Sequence, residues 1–283
     1  FGINEFALRL PALLLSVAVL ALIGNLAKRR NDSNMAMMSV LVLTGCLYFF
    51  IDAGVIMTEP SLIFCITVCF VGFWRAISEA NKTWSYLFFV GLGLGLLAKG
   101  PIALVLVGLP IFFWMLIQNQ WVNLWRRLPW ISGTLLMLLI ALPWYLLAEK
   151  RTPGFLNYFI VGEHIHRFLT PGWDGDKYGF AHLTPKGIIW LYALAGFLPW
   201  SAVGGWALVK RYKEIPNLIK DEDGWLSYLL LFTLAPLAFF TMASNVIYPY
   251  AFPALPAFSL LFAEMYARMK SASSNPSWIC YLS

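Results

Sequence analysis

Charged residues are scarce in this sequence. Asp, Glu, Lys and Arg make up 12% of its 283 residues, against roughly 25% in soluble domains. Apolar residues make up 60%, and the mean hydropathy is +0.72. A soluble core of this length does not need so much apolar surface, so the composition argues against a soluble enzyme and predicts a membrane protein.

Signals of several other protein classes are also missing. None of the four cysteines forms a CxxC pair with metal-ligand spacing, and Cys46, Cys65 and Cys69 lie in apolar runs. The sequence shows no repeat of fixed period and no secretory signal peptide at its start. Because the chain opens at Phe1 without a methionine, we expect an upstream segment to be missing from it.

Apolar runs of about twenty residues recur along the chain, the length that crosses about 30 Å of hydrocarbon as a helix. They predict an all-α, polytopic transmembrane helical bundle that forms one domain over residues 1–283. The nine predicted spans are residues 7–27, 36–54, 60–78, 84–98, 101–118, 130–148, 187–209, 225–243 and 248–267. Residues 149–186 are predicted to form a loop.

Most basic residues fall on one side of this topology. The net charge is +6, but the cations form short clusters between apolar runs, which argues against nucleic-acid binding. The clusters after the odd-numbered spans contain Lys28, Arg29, Arg30, Arg75, Lys82, Arg126, Arg127, Lys210, Arg211, Lys213, Lys220, Arg268 and Lys270. The positive-inside rule places them in the cytoplasm and the 149–186 loop in the periplasm. Trp200 and Trp225, near span ends, are predicted at the membrane interface.

Ionisable groups at membrane depth are costly and often functional. On the predicted outer side, Asp52 and Glu59 flank the short link between the second and third spans. This position puts both carboxylates at the membrane surface, either as site residues or as solvated loop acids. Lys99 precedes a Gly100-Pro101 break, where it can snorkel to the interface or bind a phosphate. Position alone leaves these alternatives open.

A short stretch of the predicted loop combines several reactive side chains. Glu163, His164, His166 and Arg167 place a carboxylate, two imidazoles and a guanidinium within five residues. Such a set can ligate a metal or bind a phosphate and a sugar hydroxyl. The spacing matches no standard zinc motif, and ordinary exposed loop histidines would fit it equally well.

Seven short motifs occur in an order that resembles one protein family. They are residues 4–11, Met57-Thr58-Glu59-Pro60, residues 96–101, Leu142-Pro143-Trp144-Tyr145, residues 162–168, Leu198-Pro199-Trp200 and residues 250–256. Together they resemble the dolichyl-phosphate-mannose protein mannosyltransferase-like family of membrane glycosyltransferases, which have the GT-C fold. Within it, the bacterial branch of lipid A aminoarabinose transferases is the most similar. The resemblance covers nearly the whole chain.

The resemblance implies an inverting glycosyltransferase of the bacterial inner membrane whose active site faces the periplasm. Such an enzyme takes a sugar from undecaprenyl or another polyprenyl phosphate and transfers it to lipid A, another envelope glycan or a protein. In the family, an acidic pair in the first periplasmic loop is central to catalysis. We expect that loop and its span to be missing here, so that the 283-residue chain binds the lipid phosphate without transferring sugar.

The resemblance also assigns roles to individual residues. Glu59 stands where the family usually has a catalytic Asp, and Lys99 matches a lysine thought to contact the lipid phosphate. His164 matches a histidine that contributes to a metal site, which implies Zn, Mg or Mn as a cofactor. Arg167 is a candidate second phosphate ligand. Tyr250 matches a substrate-binding tyrosine.

The chain departs from the family pattern just before Tyr250. Lysines often precede that tyrosine in the family, whereas Ser244, Asn245 and Val246 stand here. The departure leaves the class of donor or acceptor open.

Two other function classes fit a polytopic chain. A transporter or lipid flippase would also have Pro-broken spans and a cavity, but repeated halves and charges at the membrane midplane are absent from this sequence. An inactive or structural remnant of the transferase is the third hypothesis. The sequence does not reveal the sugar or the acceptor.

Overall fold

The computed structural model describes residues 4–175, 184–221 and 223–272. Within these ranges the chain is helical with short connections and contains no strand, which confirms the predicted all-α fold. The α-helices are α1 (Glu5–Arg30), α2 (Ser33–Gly45), α3 (Leu47–Asp52), α4 (Glu59–Ser78), α5 (Lys82–Lys99), α6 (Ile102–Gln118), α7 (Trp121–Arg127), α8 (Trp130–Arg151), α9 (Arg167–Leu169), α10 (Ile188–Gly196), α11 (Trp200–Lys210), α12 (Ile215–Leu218), α13 (Trp225–Thr241) and α14 (Leu255–Ala272). A π-helix (Asn157–His166) precedes α9, and 3-10 turns occupy Tyr212–Glu214 and Tyr248–Ala254.

Polar residues at the helix starts explain several boundaries. The side chains of Asn4, Asp32 and Asn81 accept hydrogen bonds from backbone N–H groups three residues later, at 2.8, 2.8 and 3.3 Å. These are N-caps, which satisfy amides that have no partner inside the helix. Pro60 occupies the first turn of α4, where its missing N–H costs nothing.

Glycines in α5 let three helices pack around it. A Cβ at Gly91 would lie 2.7 Å from the Cys69 sulfur of α4, and one at Gly93 would lie 3.1 Å from Ile140 of α8. A Cβ at Gly95 would lie 2.9 Å from Ala103 of α6. Small residues that allow such close approach are typical of membrane helix interfaces. Helix α5 therefore packs closely against α4, α6 and α8, and its last residue is Lys99.

The alternating direction of the helices gives the bundle two distinct ends. The start of α4, the ends of α5, α8 and α13, and the π-helix meet at one end, which we call the cavity end. There the Tyr145 hydroxyl donates to Leu96 O at 2.7 Å, and Arg9 donates to Gly54 O at 3.0 Å. The other end, which we call the aromatic end, contains Arg30, Trp74 and Trp225.

Two of the predicted spans are broken in the structure. Within 36–54, Cys46 takes an extended conformation between α2 and α3. Within 187–209, α10 and α11 are bent by 100°. The Leu47 N–H at the first break donates to Leu198 O at the second, at 3.0 Å. Each break thus supplies a partner for a freed backbone group of the other, as buried helix breaks in membranes require.

The length and hydropathy of single helices identify some of the nine predicted spans. Three described helices, α1, α4 and α8, are long and apolar enough to span it, and the bent α10–α11 pair would be a fourth. Helices α2, α6 and α13 are apolar but shorter. The ninth predicted span, 248–267, becomes α-helical only at Leu255, because prolines in the preceding turn remove backbone donors.

The predicted loop 149–186 is partly helical. Helix α8 continues to Arg151, and the π-helix follows within a few residues. The Glu149 carboxylate accepts hydrogen bonds from the N–H groups of Gly154 and Leu156 at 2.9 and 2.8 Å, which fixes the turn between the two helices. Residues 176–183 of the predicted loop lie outside the described ranges.

Candidate functional site

A cavity of about 570 Å³ lies at the cavity end of the bundle. Its lining comes from three separate parts of the chain: α4 to α6, the end of α8 with the π-helix, and the link between α13 and α14. The polar and charged lining residues are Thr58, Lys99, Tyr158, Glu163, His164, Arg167, Asn245 and Tyr250. Apolar walls, including Trp144, Phe155 and Phe159, complete it. A concave, mostly apolar pocket with a few convergent polar groups is the usual form of a binding site.

Lys99 is the last residue of α5 and is paired with Glu59. The ammonium nitrogen lies 2.5 Å from Glu59 Oε1 and 5.4 Å from the centre of the Tyr250 ring. Glu59 is 5% exposed and is not part of the cavity lining, whereas Lys99 is. The carboxylate therefore lies behind the lysine and orients its ammonium group towards the cavity and the tyrosine ring.

Gly100 brings the π-helix against the end of α5. Its φ of +76° is in the region that favours glycine. A Cβ at this position would lie 2.7 Å from the Phe159 ring and 2.9 Å from the His164 ring. The absence of a side chain lets His164 approach the backbone, so that its Nε2 lies 3.1 Å from Lys99 O.

Both ring nitrogens of His164 are engaged by the backbone. Nδ1 lies 2.7 Å from Phe159 O, and Nε2 faces Lys99 O. The histidine joins the π-helix to α5.

The metal site that the sequence resemblance implies at His164 stays a prediction. A histidine ligand must direct a nitrogen lone pair at the metal, but here each nitrogen faces a carbonyl oxygen. No group of three His, Cys, Asp or Glu side chains suited to a metal occurs in ranges 4–175, 184–221 and 223–272. These residues alone do not form a metal centre.

Arg167 lines the same cavity, just after the π-helix. It donates to Glu163 Oε2 at 2.8 Å, one helical turn earlier. The other oxygen of Glu163 accepts a hydrogen bond from the Tyr158 hydroxyl. The carboxylate thus holds an arginine and a tyrosine together on the side of the helical segment that lines the cavity.

Tyr250 completes the site from the 3-10 turn. Its ring stacks on Phe240, with centroids 4.5 Å apart and an angle of 29° between the planes. Phe168, next to Arg167, packs on Phe239 at 4.7 Å. Aromatic contacts therefore fix both Tyr250 and the segment that carries Arg167 to the end of α13.

The structure brings together most of the residues nominated from the sequence. Lys99, His164, Arg167 and Tyr250 line one cavity, and Glu59 contacts Lys99. Their functional roles stay predictions. Glu59 and Asp52 are 5% and 1% exposed, which contradicts the alternative that they are solvated loop acids. Neither carboxylate oxygen of Asp52 accepts a hydrogen bond within the part of the chain that the structure describes.

Other lining residues escaped the sequence analysis. Tyr158 and Phe159 precede the Glu163–Arg167 motif in a stretch predicted as loop, where no helical periodicity marked them. Asn245 attracted attention only as a departure from a family pattern. Its position in the cavity lining follows from the turn between α13 and the 3-10 segment, which sequence alone does not reveal.

Comparison with known proteins agrees with this geometry. Residues 1–159 match the family model described as dolichyl-phosphate-mannose-protein mannosyltransferase, which is more than half of the chain. The chain belongs to this family. Membership and the apolar helices identify it as a multi-pass membrane protein.

Curated members of the family extend the similarity along the chain. The undecaprenyl phosphate-alpha-4-amino-4-deoxy-L-arabinose arabinosyl transferase of Enterobacter sp. (strain 638) is 30% identical over 271 residues. The enzyme of the same name from Erwinia tasmaniensis is 28% identical over 274 residues. Each alignment covers 93% of this chain and 46% of the relative. The chain therefore spans about half the length of these family members.

A solved structure shares the fold. The crystal structure of ArnT from Cupriavidus metallidurans bound to undecaprenyl phosphate superposes with a TM-score of 0.81 at 22% identity. The match covers 96% of this chain and 48% of that protein. This chain thus has the GT-C fold expected from its sequence motifs.

Proposed function

We propose that this chain contains the lipid-phosphate site of a glycosyltransferase that takes its sugar from a polyprenyl phosphate. The observation that carries the proposal is the convergence of Lys99, Arg167 and Tyr250 on one cavity, from parts of the chain as far as 151 residues apart in sequence. The relatives are transferases named for an undecaprenyl phosphate-linked aminosugar, which supports this donor class.

The two cations suit a phosphate that sits at a membrane surface. Lys99 ends α5 and Arg167 follows the π-helix, and each has a carboxylate partner. The Glu59 and Glu163 carboxylates hold the cations in place before the ligand arrives, which reduces the ordering cost of binding. The phosphate would then add charge-assisted hydrogen bonds to both cations, while the apolar walls accept the first part of the polyprenyl chain.

The same arrangement would assist the chemical step. When the acceptor attacks the anomeric carbon, the bond from that carbon to the phosphate oxygen breaks and the acceptor loses a proton to a general base. The departing polyprenyl phosphate gains negative charge as the bond breaks. Lys99 and Arg167 would stabilise that charge more strongly in the transition state than in the bound donor, which is what accelerates a reaction.

The structure supports a positioning role for Glu59. Its Oε1 is occupied by Lys99 and the residue is almost fully buried, so it is poorly placed to reach an acceptor hydroxyl. A catalytic role as base stays a prediction for this residue. The acceptor class, whether lipid A, another envelope glycan or a protein, is carried over from the family resemblance.

A binding measurement tests the proposal without requiring sugar transfer. We expect Lys99→Ala and Arg167→Ala each to weaken undecaprenyl phosphate binding about ten- to a hundredfold, because a charge-assisted hydrogen bond is worth about 1.5–3 kcal/mol. Arg127→Ala removes an exposed arginine of α7 and should bind like the wild type. Equal affinity in all three variants, measured by native mass spectrometry or thermophoresis, would remove the basis of the proposal.

We further propose that the cavity faces the periplasm across the inner membrane. Arg30, Arg75 and Arg268 lie at helix ends remote from the cavity, and the positive-inside rule makes that end cytoplasmic. Thr152 is exposed near the cavity, and Asn123 is exposed on α7. In a Cys280→Ser background, an impermeant thiol reagent should label Thr152→Cys in intact spheroplasts and Asn123→Cys only after lysis. The reverse pattern would overturn the orientation.

A further inference from the structure

Four consecutive carbonyl groups beside the cavity are bound by just two residues. At the end of a helix the last carbonyls have no partner within the helix. After the π-helix, Phe168 O accepts from Ser244 N at 2.9 Å, and Leu169 O accepts from the Ser244 hydroxyl at 3.0 Å. The Asn245 side-chain amide donates to Arg167 O at 2.6 Å and to Thr170 O at 2.9 Å.

The orientation of the Asn245 amide is fixed by these contacts. Asn245 is 4% exposed and Ser244 is 9% exposed, so the hydrogen bonds are shielded from water. If the amide were flipped, its oxygen would face two carbonyl oxygens, which is unfavourable. The NH₂ group must therefore point at the carbonyls of Arg167 and Thr170.

The same short link connects this cap to the other side of the site. Residues 241–243 separate it from Phe239 and Phe240, which pack on Phe168 and Tyr250. The position of the Arg167 backbone is thereby tied to the turn that carries Tyr250. Ser244 and Asn245 stand where the family pattern favours lysines before the tyrosine, and they supply hydrogen-bond donors instead of positive charge.

We propose that Ser244 and Asn245 are positioning residues that act through Arg167. They hold its guanidinium in the cavity where the lipid phosphate would bind. The proposal rests on the proposed function, because it assigns these residues to the same phosphate site. Removing a donor would leave a carbonyl of residues 167–170 without its partner and let the short segment shift. A displacement of a phosphate ligand by a fraction of an ångström is enough to weaken a positioned contact.

A double-mutant cycle with Arg167 separates positioning from general stability. In the protein with Arg167 present, Asn245→Ala should weaken undecaprenyl phosphate binding roughly 3- to 30-fold. In an Arg167→Ala background the same substitution should change the affinity less than about twofold, because the group it positions is gone. An equal loss in both backgrounds, or no loss when Arg167 is present, would overturn the inference.

A matched pair at Ser244 provides a second test if Asn245→Ala does not fold. Ser244→Thr keeps the hydroxyl, and Ser244→Val gives a side chain of the same size as threonine without a hydroxyl. We expect the Val variant to bind undecaprenyl phosphate more weakly than the Thr variant, and this difference to vanish with Arg167→Ala. Equal affinities of the two variants would contradict the inference. If Arg167→Ala alone left the affinity unchanged, the phosphate site itself would fail, an outcome distinct from failure of the cap alone.

Discussion

Charged side chains are paired at both ends of the bundle, but they are packed differently. At the cavity end, Lys99 and Arg167 have carboxylate partners and also line open space. At the aromatic end, Arg30 pairs with Asp223, and its guanidinium lies 5.6 Å from the ring centre of Trp74 and 4.8 Å from that of Trp225.

The aromatic end is closed by ring contacts and hydrogen bonds. The ring centroids of Trp74 and Trp225 lie 4.6 Å apart. The Trp114 indole N–H donates to Gly224 O at 2.7 Å, and the Tyr228 hydroxyl donates to Phe70 O at 2.6 Å. An arginine held between two tryptophan rings contributes to stability, whereas a cation that lines a cavity is available to a ligand. Ion pairs of the same chemical type thus serve different purposes according to which groups surround them.

The largest effect on stability is expected where a side chain is added at the cavity end. Gly100→Ala would force a Cβ against Phe159 and His164 at a positive φ. Strain and overpacking together should cost about 2–5 kcal/mol and should also weaken undecaprenyl phosphate binding. Gly108→Ala is the control, since nothing lies within 4 Å of a Cβ there. Similar thermal unfolding of the two variants would show that the approach of His164 to the backbone is not needed.

A smaller effect, on stability alone, is expected at the aromatic end. Arg30→Ala should lower the free energy of unfolding by about 1–2 kcal/mol, because it removes two cation–π contacts. Its affinity for undecaprenyl phosphate should stay within twofold of the wild type. Arg29→Ala removes an exposed arginine that bonds only Asn25 among the described residues, and it should change neither quantity. A loss of affinity in Arg30→Ala would break the distinction between the ends.

The smallest effect concerns pH at the aromatic end. Burial raises the pKa of Asp223, but hydrogen bonds from Arg30 and the Trp225 N–H, with the arginine charge, outweigh it and hold the pKa below its ordinary value of 3.8. A lowered folded-state pKa stabilises the protein above the unfolded pKa, and this contribution disappears as the pH falls through the folded pKa. Any stability advantage of the wild type over Asp223→Asn should be constant between pH 7 and 5, decrease as the pH falls below 3.8, and vanish below the folded-state pKa. An advantage that grew on acidification would contradict the assignment.

The sequence predicted the cavity end better than the aromatic end. Hydropathy located α1, α4, α5 and α8 within a few residues, and ordered motifs identified four residues that line the cavity. Trp225 was expected at the membrane interface, but it is 1% exposed inside the bundle. Nothing local distinguishes a tryptophan that anchors a span from one that packs on Trp74, because the partner is about 150 residues away in sequence.

The sequence also did not predict the helix breaks or the side-chain pairings around the cavity. The helix breaks at Cys46 within an apolar run, and Gly45 is the only glycine or proline next to it. The freed Leu47 N–H at this break donates to Leu198 O, which is distant in sequence. The contact of Glu59 with Lys99 and the cap from Ser244 and Asn245 likewise join segments 40 to 78 residues apart. Such pairings are set by tertiary packing, which local patterns do not encode.

The central claim is that the cations of the cavity end recognise a lipid phosphate, and the headgroup preference tests it most directly. Affinities for undecaprenyl phosphate and for undecaprenol, which has the same tail without the phosphate, should be measured for the wild type, the Lys99→Ala/Arg167→Ala double variant and Arg30→Ala. We expect the wild type and Arg30→Ala to prefer the phosphate strongly and the double variant to bind the two lipids with nearly equal affinity. A phosphate preference that survives in the double variant would contradict the account.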